Sequence, residues 1–431
     1  MGFWLTTGLV VGSMVGSGIF MLPVSLAPLG ANAVVGWLVS ICGALAVAFA
    51  LARLSRAGGG GIQSYIEQPF GPLAGFIVTW AFWCSNWTSQ AAVAIAFGSA
   101  VSRISPALAG ADGVVGAAVA AILVLTCVNA LGVRASGGLN LVTVAIKLIP
   151  LVGVVLLLAL AGVGGEPLQP LAPVPLGIAN IATATTLTLF ALTGFENATT
   201  PVGKVRDPAR TLPRAILGGT ALVGLIYLLS SSGVLLLLPS EQVAASPAPY
   251  ADVFAARWGE GAVLVAAGAI AVSAFGTLNC LILATGELGY AMAARRQLPA
   301  LMARTRGANT PFVAQGVGAS LAILLVLANS SKATASLFTF IILLSTSAVL
   351  LVYLAGALAA WRTSRSTGVR AVIVLALAFV AFALYGSGLE ADLWLLALLA
   401  VGFAVYAVMT RLNRSIPAAA GSPAAPPGSA A

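Results

Sequence analysis

The chain alternates long apolar runs with short polar connections, and the runs are too long and too uniformly apolar to be single faces of soluble helices or strands. They fall at 4–27, 31–52, 72–102, 114–133, 138–163, 176–201, 213–238, 259–292, 312–329, 334–360, 369–387 and 391–410. A helix needs roughly 20 apolar residues to cross the hydrocarbon core. The pattern therefore predicts an all-α membrane protein with twelve transmembrane helices. The third and eighth runs are long enough to tilt or to extend past the bilayer. The connection from Ala57 to Gly71 reads as a glycine run leading into an interfacial helix, because no Lys-Ser/Thr follows to make a phosphate loop. Pro239, Pro247 and Pro249 keep 239–258 out of any span, predicting an external loop with one short helix. Lys204 to Pro213, basic and closed by prolines, is expected to be a firm inward loop.

Two runs are interrupted. The first carries Gly12-Ser13-Met14-Val15-Gly16-Ser17-Gly18-Ile19-Phe20 at its centre. Glycine costs roughly 1 kcal/mol relative to alanine inside a helix, so this span is weakened there. Two readings are open from this stretch alone: a broken helix exposing backbone to a cavity, or a glycine face packed closely on a neighbour. The sixth run carries Phe190, Thr193, Gly194 and Glu196, with Pro201 shortly after. A carboxylate within a span is expensive and usually functional, although a buried, paired carboxylate is the plain alternative. Interruptions in the first and sixth spans, five spans apart, favour broken helices and point to a transporter built from inverted repeats.

Composition agrees: 60% of the 431 residues are hydrophobic and 7% charged, and the mean hydropathy is +1.06. With an apolar span at the start and no cleavage signature, the first span is expected to be retained. Histidine is absent, and Cys42, Cys84, Cys127 and Cys280 sit singly in apolar runs, so neither a metal site nor a redox motif is expected. No nucleotide loop or nucleophile–base pair appears, which argues against an enzyme or a primary pump and predicts no cofactor.

The net charge of +9 is a topology signal. With the N-terminus inside, sixteen of the twenty basic residues fall in cytoplasmic loops or the tail, among them Arg56, Arg134, Lys204 and Arg206. Only Arg103, Arg257 and Lys332 fall outside, together with Asp112, Glu166, Glu241, Asp252, Glu260, Glu390 and Asp392. This is the positive-inside pattern, placing both termini in the cytoplasm and leaving no reason to expect nucleic acid as a partner.

Three further spans carry candidates. Lys147, deep in the fifth span, needs carbonyls, a carboxylate or water as partners, or must snorkel to the inner surface. In the third span Phe82, Asn86 and Gln90 follow helical spacing and can line a cavity, while Trp80, Trp83 and Trp87 suit packing or the interface equally. Glu287 is expected to neutralise Arg295 or Arg296.

Taken together, the first-span glycine stretch, Pro69-Phe70-Gly71-Pro72, Thr193-Gly194-Phe195-Glu196, Lys204-Val-Arg-Asp-Pro208, Pro213, Gly286 and Arg296-Gln-Leu-Pro299 resemble the amino acid–polyamine–organocation (APC) superfamily. The resemblance is strongest to the bacterial basic amino acid/polyamine antiporters, typified by the arginine/agmatine exchanger, and covers nearly the whole chain. It implies a LeuT-like fold of 5+5 inverted repeats plus two helices, working by alternating access with the first and sixth helices broken. The repeats would occupy 1–163 and 164–360, the last two spans 361–411 and a disordered tail 412–431.

The same resemblance implies that Ser17 and the Gly18 N–H, with Ile19 beside them, hold a substrate carboxylate. The carbonyls of Met14, Phe190 and Thr193 would take the ammonium, with the Phe190 ring as a gate. Glu196 would couple gating to protons, and Lys147 would stand where a sodium ion sits in relatives. Two indoles that hold a guanidinium in the arginine/agmatine exchanger are Phe190 and Leu281 here, and a third-span tyrosine is Phe82. Each lost cation–π contact is worth ~0.5–2 kcal/mol. The expectation is a sodium-independent secondary transporter of amino acids in the cytoplasmic membrane, with a neutral amino acid favoured over a cationic amino acid or polyamine. A candidate homodimer, a channel and a non-transporting sensor complete the readings.

Overall fold

The computed structural model describes residues 2–16, 18–54, 61–131, 137–196, 208–306, 310–328, 330 and 332–415. Ser17, Arg56, Arg134, Lys204, Arg206 and the tail from 416 lie outside the described residues. What is described is helical, with one isolated bridge between Arg306 and Thr310.

The first span is two helices, α1 (Phe3–Met14) and α2 (Gly18–Leu26). They are bent by 48° about the break. After a 3-10 turn come α3 (Ala31–Leu54), the interfacial α4 (Gly61–Phe70), α5 (Pro72–Ile104), α6 (Ala111–Ala130) and α7 (Gly137–Val163). The second half begins with α8 (Ile178–Leu192), which stops at Thr193, and continues with α9 (Pro208–Leu237). Two short helices, α10 (Ser240–Ala245) and α11 (Pro249–Trp258), occupy the stretch expected to hold one. Then follow α12 (Glu260–Ala294), α13 (Phe312–Ala328), α14 (Thr334–Thr363), α15 (Thr367–Ser387) and α16 (Leu389–Ser415). The last helix thus runs past the expected start of the tail at 412.

By length and apolarity eight of the described helices can cross a membrane, or nine with the bent first pair counted as one. The expected runs missing from that set have local reasons. Helix α5 is long enough but carries amides, hydroxyls and indoles, whereas α8 and α13 are shorter than roughly 20 residues.

Small residues let these helices approach closely, which matters where lipid removes the hydrophobic drive for association. A Cβ on Gly36 of α3 would lie 2.5 Å from the Ala184 Cβ of α8, and one on Gly386 of α15 would lie 2.0 Å from the Ala182 carbonyl oxygen. Hydroxyls bridge the same helices: Ser40 Oγ donates to the Thr185 carbonyl at 3.1 Å, and Thr186 Oγ1 to the Ala383 carbonyl at 2.5 Å. Buried Asn32 pins the approach to α8, donating to the Pro175 carbonyl at 3.1 Å and accepting from the Gly177 N–H at 3.0 Å. On the outside, Leu160 of α7 and Leu396 of α16 are 65% and 60% exposed, an apolar surface suited to lipid.

Charges sort to the two ends. Arg103 pairs with Asp252 at 2.9 Å, Lys332 with Glu390 at 2.8 Å, and Arg257 with Glu166. All six come from loops assigned to one side, and hydrogen bonding to Arg257 holds the Glu166 carboxyl below its ordinary value. At the opposite end Arg295 pairs with Glu67 at 3.2 Å. That corrects the expected role of Glu287, because α4 brings its own carboxylate to the end of α12.

Gly386→Ala should be destabilising by ~1–3 kcal/mol, since a methyl cannot fit against the Ala182 backbone. Gly268→Ala, whose added methyl would have nothing within 4 Å, should be neutral or slightly stabilising. Thermal unfolding in detergent followed by tryptophan fluorescence distinguishes the two.

Candidate functional site: a cavity between two helix breaks

The breaks in α1–α2 and after α8 meet. Met14 ends α1, and α2 restarts at Gly18, so the first N–H groups of α2 have no partner within their own helix. Thr193 leaves helical geometry at φ −63°, ψ 154°, and Gly194 follows at φ +117°, a conformation that favours glycine. A Cβ on Gly194 would lie 2.5 Å from the Ser13 carbonyl oxygen, so glycine is also required by the closeness of the first span. Ser13 Oγ donates to the Gly194 carbonyl at 3.0 Å, joining one break to the other.

Glu196 completes the junction. Its carboxylate accepts the Gly194 N–H at 3.1 and 3.0 Å and the Tyr353 hydroxyl of α14 at 3.0 Å, and the residue is only 4% exposed. Tyr353 stacks on Phe195, with ring centroids 5.3 Å apart. Tyr227 of α9 donates to the Met14 carbonyl at 3.1 Å, capping the end of α1 from the other side.

Between the breaks lies a cavity of about 80 Å³. One water needs roughly 10–15 Å³ by this measure, so the space suits a small solute with a little water. Ser13, Met14, Gly16, Gly18 and Ile19 form its first wall, and Phe190, Ala191, Thr193, Gly194 and Glu196 its second. Helix α5 contributes Phe82, Ser85, Asn86, Ser89 and Val93, and α12 contributes Thr277 and Leu281. Among the described residues, Glu196 is the only charged one in this lining. The Phe190 ring lies over Gly18, where a Cβ would be 2.5 Å from Phe190 Cε1.

Of the residues singled out in the sequence, Met14, Gly18, Ile19, Phe82, Asn86, Phe190, Thr193, Glu196 and Leu281 are brought together here. Ser17 lies outside the described residues. Gln90 does not line the cavity: its amide donates to Thr285 Oγ1 at 2.6 Å and to the Leu281 carbonyl at 3.4 Å. The reason is helical drift. Eight residues at about 100° each place Gln90 roughly 80° round from Phe82, whereas Ser85, Ser89 and Val93 stay on the cavity side. Lys147 also stands apart, buried on α7, with no carboxylate ion-paired to it among the described residues.

Two of the expected ammonium acceptors are already engaged. The Met14 carbonyl accepts from Tyr227 and from the Gly16 N–H at 2.8 Å, and the Phe190 carbonyl from Thr193 Oγ1 at 2.7 Å and Thr193 N–H at 3.3 Å. A carbonyl has two lone pairs, so neither is open as arranged. Residues missed in the sequence fall into two groups. Ser85 and Ser89 could have been found by counting 100° per residue from Phe82, whereas nothing local marks Tyr227 or Tyr353.

Described residues that are almost wholly helical, several helices long and apolar enough to cross a membrane, and a small cavity between the first-span break and the end of α8 fit a membrane transporter. The chain belongs to the amino acid permease family, whose model matches residues 1–422, and the APC resemblance is thereby one of membership. It is 29% identical over 346 residues to the cadaverine/lysine antiporter of Escherichia coli (strain K12), covering 78% of this chain and 77% of that one. It is 27% identical over 419 residues to the putrescine transporter PotE of Haemophilus influenzae, covering 93% and 94% of the two chains. The PotE of Escherichia coli (strain K12) is 30% identical over 261 residues, 59% of each chain. These relatives carry cationic substrates in their names, and give the expected neutral preference no support.

A hydrogen bond to a buried carboxylate is worth ~1.5–3 kcal/mol. Tyr353→Phe and Glu196→Ala should therefore be coupled by a similar amount in a double-mutant cycle of unfolding free energies, whereas independent effects would show that the bond contributes nothing.

Proposed function

We propose that the protein is a secondary exchanger of cationic amino acids and their polyamine counterparts, working by alternating access. The observation that carries this reading is the cavity where the two breaks meet, with a carboxylate, Glu196, as the only charge in its lining among the described residues. A carboxylate among low-dielectric walls favours cations. The N–H groups at the start of α2, which have no partner within their own helix, are assigned with Ser17 to the carboxylate of an amino acid. The names of the relatives support the cationic class.

The membrane arrangement proposed with it is twelve spans in a LeuT-like fold, repeats over 1–163 and 164–360, two further spans over 361–411 and a cytoplasmic tail. Both termini face the cytoplasm, the membrane is the cytoplasmic one, and a homodimer is the oligomer offered for test. Lys147 stands in for a coupling sodium ion. Gating and proton sensitivity are assigned to Glu196.

A second reading has its own observation. Phe82, Val93, Phe190 and Leu281 give the cavity apolar walls without an indole, which suits a neutral side chain.

Purified protein in liposomes should separate them. Internal lysine or putrescine should accelerate uptake of labelled lysine, cadaverine or putrescine several-fold over empty vesicles, with leucine and alanine competing poorly and choline replacing sodium without loss. Exchange of leucine in preference to the cations would establish the neutral reading, and strict sodium dependence would remove the role given to Lys147. The pH profile of exchange should flatten in Glu196→Gln, because an amide cannot gain or lose the proton; an unchanged profile would take the coupling role from Glu196.

A further inference from the structure

The end of the molecule that carries α4 holds a group of guanidinium ions left over by the ion pairs. Arg296, Arg304, Arg306, Arg411 and Arg414 are all exposed. Chain-distant segments bring them to one rim. Arg296 sits at φ +59° in the turn that ends α12, and its carbonyl accepts the Asn413 side-chain amide of α16 at 2.9 Å. Arg411 and Arg414 flank that asparagine within one helical turn. Arg304 and Arg306 follow a 3-10 turn held down by buried Met302, and Arg306 is fixed by paired backbone bonds to Thr310 at 2.9 and 3.0 Å.

No carboxylate neutralises these five among the described residues. Glu67 is taken by Arg295, and Glu287, farther back along α12, ion-pairs with none of them. Five like charges on one rim repel each other, and an anion placed among them relieves that repulsion. Guanidinium matches phosphate with two parallel hydrogen bonds, which an ammonium cannot do.

Beside the charges runs an apolar surface. Val408 and Leu412 of α16 are 55% and 53% exposed, and Leu301 is 52% exposed next to Arg304. Charge for a phosphate and an adjoining greasy face together describe one partner better than any soluble anion. We propose that this rim is a binding site for anionic phospholipid, with headgroup phosphates on the arginines and acyl chains along the outer face of α16. The proposal rests on the membrane orientation given above, with this end at the cytoplasmic interface, but not on what the protein transports.

Native mass spectrometry of detergent-purified protein tests it directly and needs no transport. Phosphatidylglycerol and cardiolipin should stay bound under conditions that strip phosphatidylcholine. Arg296→Gln/Arg304→Gln/Arg306→Gln should weaken that binding by at least about tenfold, since each basic residue adds separately to attraction for an anionic surface. Arg53→Gln/Arg210→Gln/Arg214→Gln, which removes equal charge from the ends of α3 and α9, helices that pack chiefly on each other and on α1, α7 and α8, should leave most of it. Millimolar inorganic phosphate should not displace the lipid. Equal retention of phosphatidylcholine, equal losses in the two triple variants, or displacement by inorganic phosphate would each overturn the proposal. A protein that binds lipid in this way but exchanges no amine would leave this site standing and remove only the proposed function.

Discussion

The structure depends on how the break in the first span and the end of α8 satisfy each other's backbone inside an apolar medium. An unpaired peptide group in hydrocarbon costs several kcal/mol, so neither break is tolerable alone. Here the Gly194 carbonyl takes the Ser13 hydroxyl, the Gly194 N–H takes Glu196, and the Met14 carbonyl takes Tyr227. Three other helices, α5, α12 and α14, then close round the junction. The cavity lies where α1 stops at Met14 and α8 at Leu192.

The electrostatics follow from the same break. Restarting a helix at Gly18 turns its positive end toward the cavity, while the far break brings in a carboxylate. A solute carrying both a carboxylate and an amine can meet both features, and a diamine can meet only the second. Exchange of one for the other would therefore rest on the shared amine, with the helix end separating the two by affinity. An indole would add planar stacking for a guanidinium, and none lines the cavity among the described residues. Within the function proposed above, that favours a lysine-like over an arginine-like cation.

What was legible in the sequence was whatever forces the backbone's hand. Gly12 to Gly18 and Gly194 announced the breaks, and Glu196 announced a site, because those residue types are costly in a span without a reason. Long apolar runs marked the helices for the same reason. The partners were not legible. Tyr227 and Tyr353 are ordinary aromatic residues in apolar helices, and only packing shows that their hydroxyls face Met14 and Glu196. Gln90 misled because a repeat of four was carried through two steps, far enough for a 3.6-residue helix to turn it onto α12. Arg295 found Glu67 and not Glu287 because the interfacial α4 folds back under α12, a long-range fact with no local trace.

The two ends of the molecule are held differently, and that bears on alternating access as proposed. On one side α10 and α11 lie over α2, with Tyr250 against Phe20 at a ring distance of 5.3 Å and its hydroxyl bonded to Ser230 at 3.0 Å. Arg103–Asp252 and Arg257–Glu166 tie this hairpin to α5 and to the stretch before α8. The Arg257–Glu166 pair is open to solvent and adds little, whereas Asp252 is buried and also accepts from Ser246, so Arg103–Asp252 is the firmer tie. Resistance to parting at this end therefore has two sources: the buried Asp252 with its two partners, and the aromatic contact of Tyr250 on Phe20 with the apolar area beneath it. In the alternating access proposed above, the exposed Arg257–Glu166 pair would exchange readily for water, and these buried contacts would set the cost of opening.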